Sequence, residues 1–263
     1  MSDQPPLLFT AAGGIARITL NRPHKLNAFN VPMHLALMQV LQRVAADPDM
    51  RVALLTGAGK AFCAGQDLSE RDAEGAAEPD LGANIETYYN PLVRQLIDMP
   101  MPVVCAVNGV AAGAGANIAL LCDLVVAKSS ASFIQSFARI GLLPDSGGTW
   151  TLPHLVGHAR AMALALTGEP LDAATAADWG MIWKAVPDDR FTEAVETLVA
   201  DLARAPSSGL AETKRAIRAA WSNPLGAQLD LERDAQRRLG LTADYREGVR
   251  AFKAKRPAAF KGK

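Results

Sequence analysis

The chain has 263 residues, of which 49% are hydrophobic, and 27 Lys plus Arg balance 27 Asp plus Glu. An apolar fraction of this size can fill a core and excludes general disorder, while zero net charge removes any global pull toward nucleic acid or an anionic membrane. Cys63, Cys105 and Cys122 are odd in number, lack C-x-x-C spacing and sit in apolar runs, which fits a reducing compartment, by default the cytoplasm, better than a disulfide framework.

In chain order, MSDQPPLLFTAAGG lacks a basic region followed by an apolar stretch of signal-peptide length. Residues 14–20 (GIARITL) alternate like a strand, closed by Asn21-Arg22-Pro23. Val31 to Ala46 read as a helix with Met33, Leu37, Val40, Leu41 and Val44 along one stripe. Residues 51–56 form a short buried strand before Gly57-Ala58-Gly59, and residues 67–86, rich in acids, Gly, Ala and Pro, read as a solvated loop. Further strands are expected over 103–107 and 124–127. The uncharged run from Met99 to Cys122 is long enough to span a bilayer, but Pro100, Pro102, Asn108, Gly109, Gly113, Gly115 and Asn117 break it. It reads as a buried strand, a glycine turn and a buried helix, with no membrane span.

Strands alternating with helices imply an α/β fold with a mostly parallel sheet. After Pro187 the pattern turns helical, with breaks near Pro206, Pro224 and Gly240. The chain is therefore expected to divide into an α/β core over 1–187 and a helical extension over 188–263. The extension's Trp221, Leu225, Leu229 and Leu239 call for a partner surface, as in a homo-oligomer. Its end is basic, with ten Lys or Arg and four Asp or Glu from Leu231 to Lys263.

Gly109 to Asn117, lying between a strand and an apolar helix, is a glycine-rich turn whose backbone N–H groups would suit an oxyanion or a phosphate. Ile118 stands where a dinucleotide fingerprint needs its third glycine, and no Gly-Lys-Ser/Thr follows. His24, His34, His154 and His158 are scattered, so no metal site is expected. Asn21-Arg22-Pro23 with Lys25 to Ala28, Phe62 to Leu68, and Gly141 to Thr149 are further special segments.

In order and spacing these four segments resemble the crotonase, or enoyl-CoA hydratase/isomerase, superfamily, from about Gly14 to Pro187. The resemblance implies a core of repeated ββα turns, an acyl-CoA substrate, a trimeric or hexameric assembly and no cofactor beyond the CoA of the substrate. It implies an oxyanion hole made by the backbone N–H groups of Gln66 and Ala114. It also implies CoA contacts at Lys25, Leu26, Ala28, Ala64, Asp67 and Leu68, joined from the basic tail by Phe260 and Lys263.

Hydratases of this kind carry two glutamates, whereas Asn117 and Phe137 stand at those positions and neither side chain is an acid or base near neutral pH. Asp145 stands where hydratases have glycine. With Asn117, Phe137 and Leu143 assigned to the acyl pocket, an apolar pocket containing Phe133, Phe137 and Leu143 would raise a carboxyl pKa toward that of a useful base. Asp145 is therefore the expected base.

Residues 65–68, 79–82, 89–94, 143–150 and 243–248 extend the match over almost the whole chain. Together they are similar to the isomerases that act on ring-epoxidised phenylacetyl-CoA and form an oxepin thioester. Other readings are a 3-enoyl-CoA isomerase, an aryl-CoA dehalogenase using Asp145 as nucleophile, or a non-catalytic acyl-CoA or RNA-binding scaffold. Zero net charge and the absence of interleaved aromatic and basic residues oppose the RNA reading.

Overall fold

The computed structural model describes residues 4–70 and 80–262. It opens with a hairpin absent from the sequence reading, in which β1 (Leu7–Ala12) pairs antiparallel with β2 (Ile15–Leu20). Gly13 and Gly14 make its two-residue turn with φ of +60° and +77°, a conformation that glycine adopts without a Cβ clash. Next, α1 (Val31–Ala46) has the expected bounds, and the Asn30 side chain caps it by accepting from the Met33 N–H at 3.1 Å.

The chain then makes the same move three times, a strand in a large sheet followed by a short strand in a small one. The pairs are β3 (Val52–Gly57) with β4 (Ala61–Cys63), β5 (Val103–Val107) with β6 (Val110–Ala112), and β7 (Leu124–Lys128) with β8 (Ser132–Ile134). With β9 (Leu171–Asp172) and β10 (Lys184–Val186), the sheets run β1-β2-β3-β5-β7-β10 and β4-β6-β8-β9. β2 to β10 of the large sheet are parallel, and so are β4, β6 and β8.

The centre of the large sheet, β3, β5 and β7, is buried on both faces, which is why these strands are mostly apolar runs. Ala53, Leu55, Val103 and Cys105 face a core shared with α1 and α4 (Ala114–Leu121). Val52, Leu54, Val104, Ala106 and Val126 face Phe191, Val195 and Val199 of α8 (Phe191–Arg204). The first helix after Pro187 thus closes the second face of the sheet. α5 (Gly148–Val156), α6 (His158–Thr167) and α7 (Ala173–Asp178) complete the first part of the chain.

α9 (Ser207–Ala219), α10 (Leu225–Leu239) and α11 (Ala243–Lys253) follow, broken at Pro206, Pro224 and Gly240 as expected. α9 is pinned to the core by Asp123, which pairs with Lys214 and Arg218, both at 2.9 Å, and accepts the Val103 N–H at 2.8 Å. The uncharged run of residues 99–122 folds as β5, β6 and α4. Among the described residues no helix is long and apolar enough to cross a membrane.

The stretch read as a loop needs correction at its C-terminal end; its residues 71–79 lie outside the described residues. From Leu81 the chain is helical: α2 (Leu81–Asn84), one π turn (Ile85–Tyr89) and α3 (Asn90–Asp98). Asp80 caps it by accepting the Ala83 N–H at 2.9 Å. The widened turn precedes Pro91, whose ring and missing N–H do not fit a regular turn. Small and acidic residues hide an apolar series at Leu81, Ile85, Tyr89, Leu92 and Leu96.

Candidate active site

Two backbone turns meet at one end of the small sheet. The first follows β4, where the Phe29 N–H donates to the Gly65 carbonyl at 2.7 Å and the Asp67 N–H to the Phe29 carbonyl at 2.9 Å. In such a parallel bridge the middle residue, Gln66, points its own N–H away from Phe29. The second is Gly113-Ala114, where Gly113 (φ +54°) precedes α4 and the Ala114 N–H, in the first turn, has no carbonyl partner within the helix. Gly65 lets the two turns touch: its φ is +93°, and a Cβ there would fall 2.9 Å from the Ala112 oxygen and 3.4 Å from the Ala114 nitrogen.

Gln66 and Ala114 line the same cavity, of about 440 Å³. Leu81, Ile85, Phe137, Ile140, Leu142 and Leu143 give it apolar walls, and Asp145 enters from a different loop. That loop is a tight turn in which the Gly148 N–H donates to the Asp145 carbonyl at 2.8 Å. Both central residues are left-handed, Ser146 at φ +51° and Gly147 at +77°. The Ser146 hydroxyl donates to Asp145 Oδ1 at 2.9 Å. A carboxylate-bearing residue and two turns with backbone N–H groups thus line one largely apolar cavity, a set of groups suited to removing a proton beside a carbonyl while the oxygen gains charge.

Of the residues assigned to the acyl pocket, Phe137 and Leu143 line the cavity, Phe137 buried and Leu143 at its rim, 72% exposed. Asn117 does not line it. Its side chain is buried and donates to the Asp145 carbonyl at 2.8 Å, because α4 turns this residue away from the cavity toward the base of α5. Phe133 is also core rather than pocket, since it pairs with Ala111 and Leu171 inside the small sheet.

Lys25, Leu26 and Ala28 form a turn stitched beside the first donor, with the Ala64 N–H donating to the Leu26 carbonyl at 3.0 Å. Ala64 and Leu68 line the cavity. The Asp67 carboxylate, by contrast, is buried in a pair with Arg22 at 2.7 Å and accepts the Ser69 hydroxyl at 2.6 Å. Burial opposes its charge, but the bonds from Ser69 and Arg22 outweigh that and hold its pKa below the ordinary value. Its side chain braces the turn instead of facing a ligand. Lys25 Nζ reaches Ser69 Oγ at 3.1 Å. Cys63, next to the donor turn, is no nucleophile: burial pushes its thiol up to about 12.

Within one chain Phe260 does not reach this cavity. It packs beside Gly248 in a separate groove with Leu239, Tyr245 and Phe252. The tail is clamped there, as the Lys261 and Gly262 N–H groups donate to Asp244 at 2.7 and 2.8 Å and Arg51 donates to the Phe260 carbonyl at 3.2 Å. Lys263 lies outside the described residues. Trp221 also finds its partners inside the chain, stacked on His154 at 4.3 Å and edge-on to Trp150 at 4.5 Å. Sequence reasoning missed Leu81, Ile85, Asn90, Ile140 and Thr149 in the cavity wall, and only the apolar spacing from Leu81 could have flagged the first two.

Residues 10–263 match the family model described as enoyl-CoA hydratase/isomerase. The chain is 54% identical over 252 residues to the 1,2-epoxyphenylacetyl-CoA isomerase of Escherichia coli, covering 95% of this chain and 96% of that one. It is 51% identical over 254 residues to the "Probable enoyl-CoA hydratase" of Rhodobacter capsulatus, covering 95% of each. The crystal structure of an enoyl-CoA hydratase from Polaromonas superposes with a TM-score of 0.90 at 32% identity, covering 97% of this chain and 99% of that one. By sequence and by fold, then, the chain belongs to the enoyl-CoA hydratase/isomerase family.

Proposed function

We propose that the protein is an acyl-CoA isomerase that converts 2-(1,2-epoxy-1,2-dihydrophenyl)acetyl-CoA to 2-oxepin-2(3H)-ylideneacetyl-CoA. The observation that carries this reading is the convergence of Asp145 with the Gln66 and Ala114 turns on one apolar cavity. The 54% identity to the Escherichia coli isomerase supports the choice of substrate. Asp145 takes a proton from C2, and the two N–H groups hold the thioester oxygen as it becomes an enolate. The electron pair opens the ring carbon–carbon bond under the epoxide bridge, and the proton returns to a ring carbon, so that atoms balance. Proton transfer and ring opening of this kind call on no metal or redox cofactor, and CoA enters as part of the substrate.

The same groups would move a double bond in a 3-enoyl-CoA, which is the second reading. Hydration is disfavoured, because the glutamates expected of a hydratase are replaced by a buried Asn117 and an apolar Phe137. Incubation of the purified protein with epoxidised phenylacetyl-CoA, 3-hexenoyl-CoA and crotonyl-CoA tests all three. Turnover of the first is expected; turnover of 3-hexenoyl-CoA alone would replace the proposed substrate, and hydration of crotonyl-CoA at about 10 per second or more would overturn the roles given to these residues.

The protein is further proposed to act in the cytoplasm as a homo-oligomer, a trimer or hexamer. Exposed Leu225, Leu229 and Phe252 on the C-terminal helices, with Leu241 in the turn between α10 and α11, support a second copy as the covering surface. Light scattering that shows a monomer at micromolar concentration would remove this proposal. In such an assembly the clamped tail, with Phe260, would approach the CoA of a neighbouring copy.

A further inference from the structure

Asn117 is a polar residue in a helix whose other residues, Ala114 to Leu121, are all buried and either apolar or glycine. Its side chain is 1% exposed and needs partners on both ends of the amide. It has them: Nδ2 donates to the Asp145 carbonyl at 2.8 Å, and Oδ1 accepts from Gln135 Nε2 at 2.8 Å. The Asp145 carbonyl also accepts the Gly148 N–H at 2.8 Å, so it receives two bonds at once. The backbone of Gly148 sits directly on the amide, since a Cβ there would fall 2.2 Å from Asn117 Nδ2.

This carbonyl and the Asp145 carboxyl group branch from the same residue. Holding this peptide plane therefore restrains the Cα from which the carboxyl group branches, and the Ser146 hydroxyl donates to its Oδ1. Gln135 ties the same amide to the cavity wall, because it immediately precedes the turn Ser136–Ile140 that carries Phe137. An amide is required here rather than an acid: position 117 must donate to one neighbour and accept from another, and a carboxylate would aim a buried negative charge at the Asp145 carbonyl.

We propose that Asn117, itself held by Gln135, is a positioning residue that sets the Asp145 carboxylate against C2 of the acyl group. The proposal rests on the reading of Asp145 as the base. It assigns to the amide no contact with substrate, only control of the group that makes one.

The test is C2 hydrogen–deuterium exchange together with kcat and KM for the epoxidised thioester, in wild type, Asn117→Leu, Asp145→Asn and the double variant. Asn117→Leu is expected to slow exchange and turnover by about 10-fold or more, the scale of a misplaced catalytic group, with KM changed by less than about twofold. In the Asp145→Asn background the same substitution should change the residual rate by less than about twofold, because its effect passes through Asp145. Asn117→Asp, which keeps the volume and the acceptor for Gln135, carries the same expectation if Asn117→Leu fails to fold. Exchange within about twofold of wild type in a folded Asn117 variant overturns the proposal, and so does an equal loss in both backgrounds, which would mark a general packing defect. A wild-type protein that exchanges no C2 hydrogen overturns the reading of Asp145 as base, and this proposal with it.

Discussion

The two halves of the site are built from different chemistry. In the proposed mechanism the donor half, Gly65-Gln66 and Gly113-Ala114, works through backbone N–H groups, and Gly65 lacks a side chain where the two turns approach within contact distance. In the same proposal the Asp145 half works through one side chain, and its turn is hydrogen-bonded to polar neighbours, Ser146, Asn117 and the Gly148 N–H. A backbone donor is insensitive to which side chain it carries but sensitive to φ, ψ and close approach. A side-chain base is the reverse. Substitutions should therefore act through chemistry in one half and through geometry in the other.

The largest effect is expected at Asp145. Asp145→Asn preserves shape but removes basicity, so turnover and C2 exchange should fall by roughly 10²-fold or more while CoA binding is kept. Isotope exchange and CoA titration on the same preparation separate the two. In the donor half the comparable change is Gly65→Ala. It places a methyl group 2.9 Å from the Ala112 oxygen at a φ of +93°, which is strained for any L side chain. Disturbing an oxyanion donor costs on the order of 10²-fold, and partial displacement should cost about 10-fold or more, visible in kcat and as a lowered Tm. A Gly65→Ala enzyme with wild-type kcat would show that the two turns need not touch.

Much of this was legible in the chain. The bounds of α1 and β5 were readable because long apolar stripes or runs carry their own period. That the Gln66 and Ala114 turns and Asp145 share one cavity was readable because four spaced motifs agreed. β4, β6 and β8 were not, since three residues are too few for a period. The role of Asn117 was hidden because one partner lies 18 residues away on Gln135 and the other 28 away on Asp145, and only the packing of α4 against both brings them together. The basic tail was read as a CoA contact through Phe260 and Lys263, yet within one chain Asp244 and Arg51 clamp its backbone away from the cavity, a contact that depends on where α11 docks.

Behind the donor half lies His34, buried, its ring nitrogens without hydrogen-bond partners among the described residues. It stacks on Phe29 at 4.7 Å, and Phe29 is the bridge partner of Gln66. Burial lowers its pKa to about 4. Since the unfolded chain titrates near 6.5, it binds a proton below that pH which the folded protein refuses. Stability should be unaffected by this group above about pH 6.5 and fall as pH drops toward 4, by up to about 1.4 kcal/mol per unit. Denaturant titrations at pH 7 and pH 5 check this. The extra loss should disappear in His34→Leu, and an unchanged slope would show that His34 is not the titrating group.

The smallest effect is expected at Gln66 itself, and it separates the two halves most sharply. The parallel bridge to Phe29 is held by the carbonyl of Gly65 and the N–H of Asp67, so the backbone on both sides of Gln66 is fixed by its neighbours. Gln66→Ala keeps the N–H in place and should leave the isomerisation rate within about threefold of wild type, against the roughly 10²-fold expected when a true donor is lost. Any change should fall on KM, because Gln66 lines the cavity proposed to take the substrate. If turnover instead drops by about 10-fold or more with the fold intact, the glutamine amide, and not the backbone, holds the developing charge. The donor half would then be side-chain chemistry like the Asp145 half, and the contrast between them would fail.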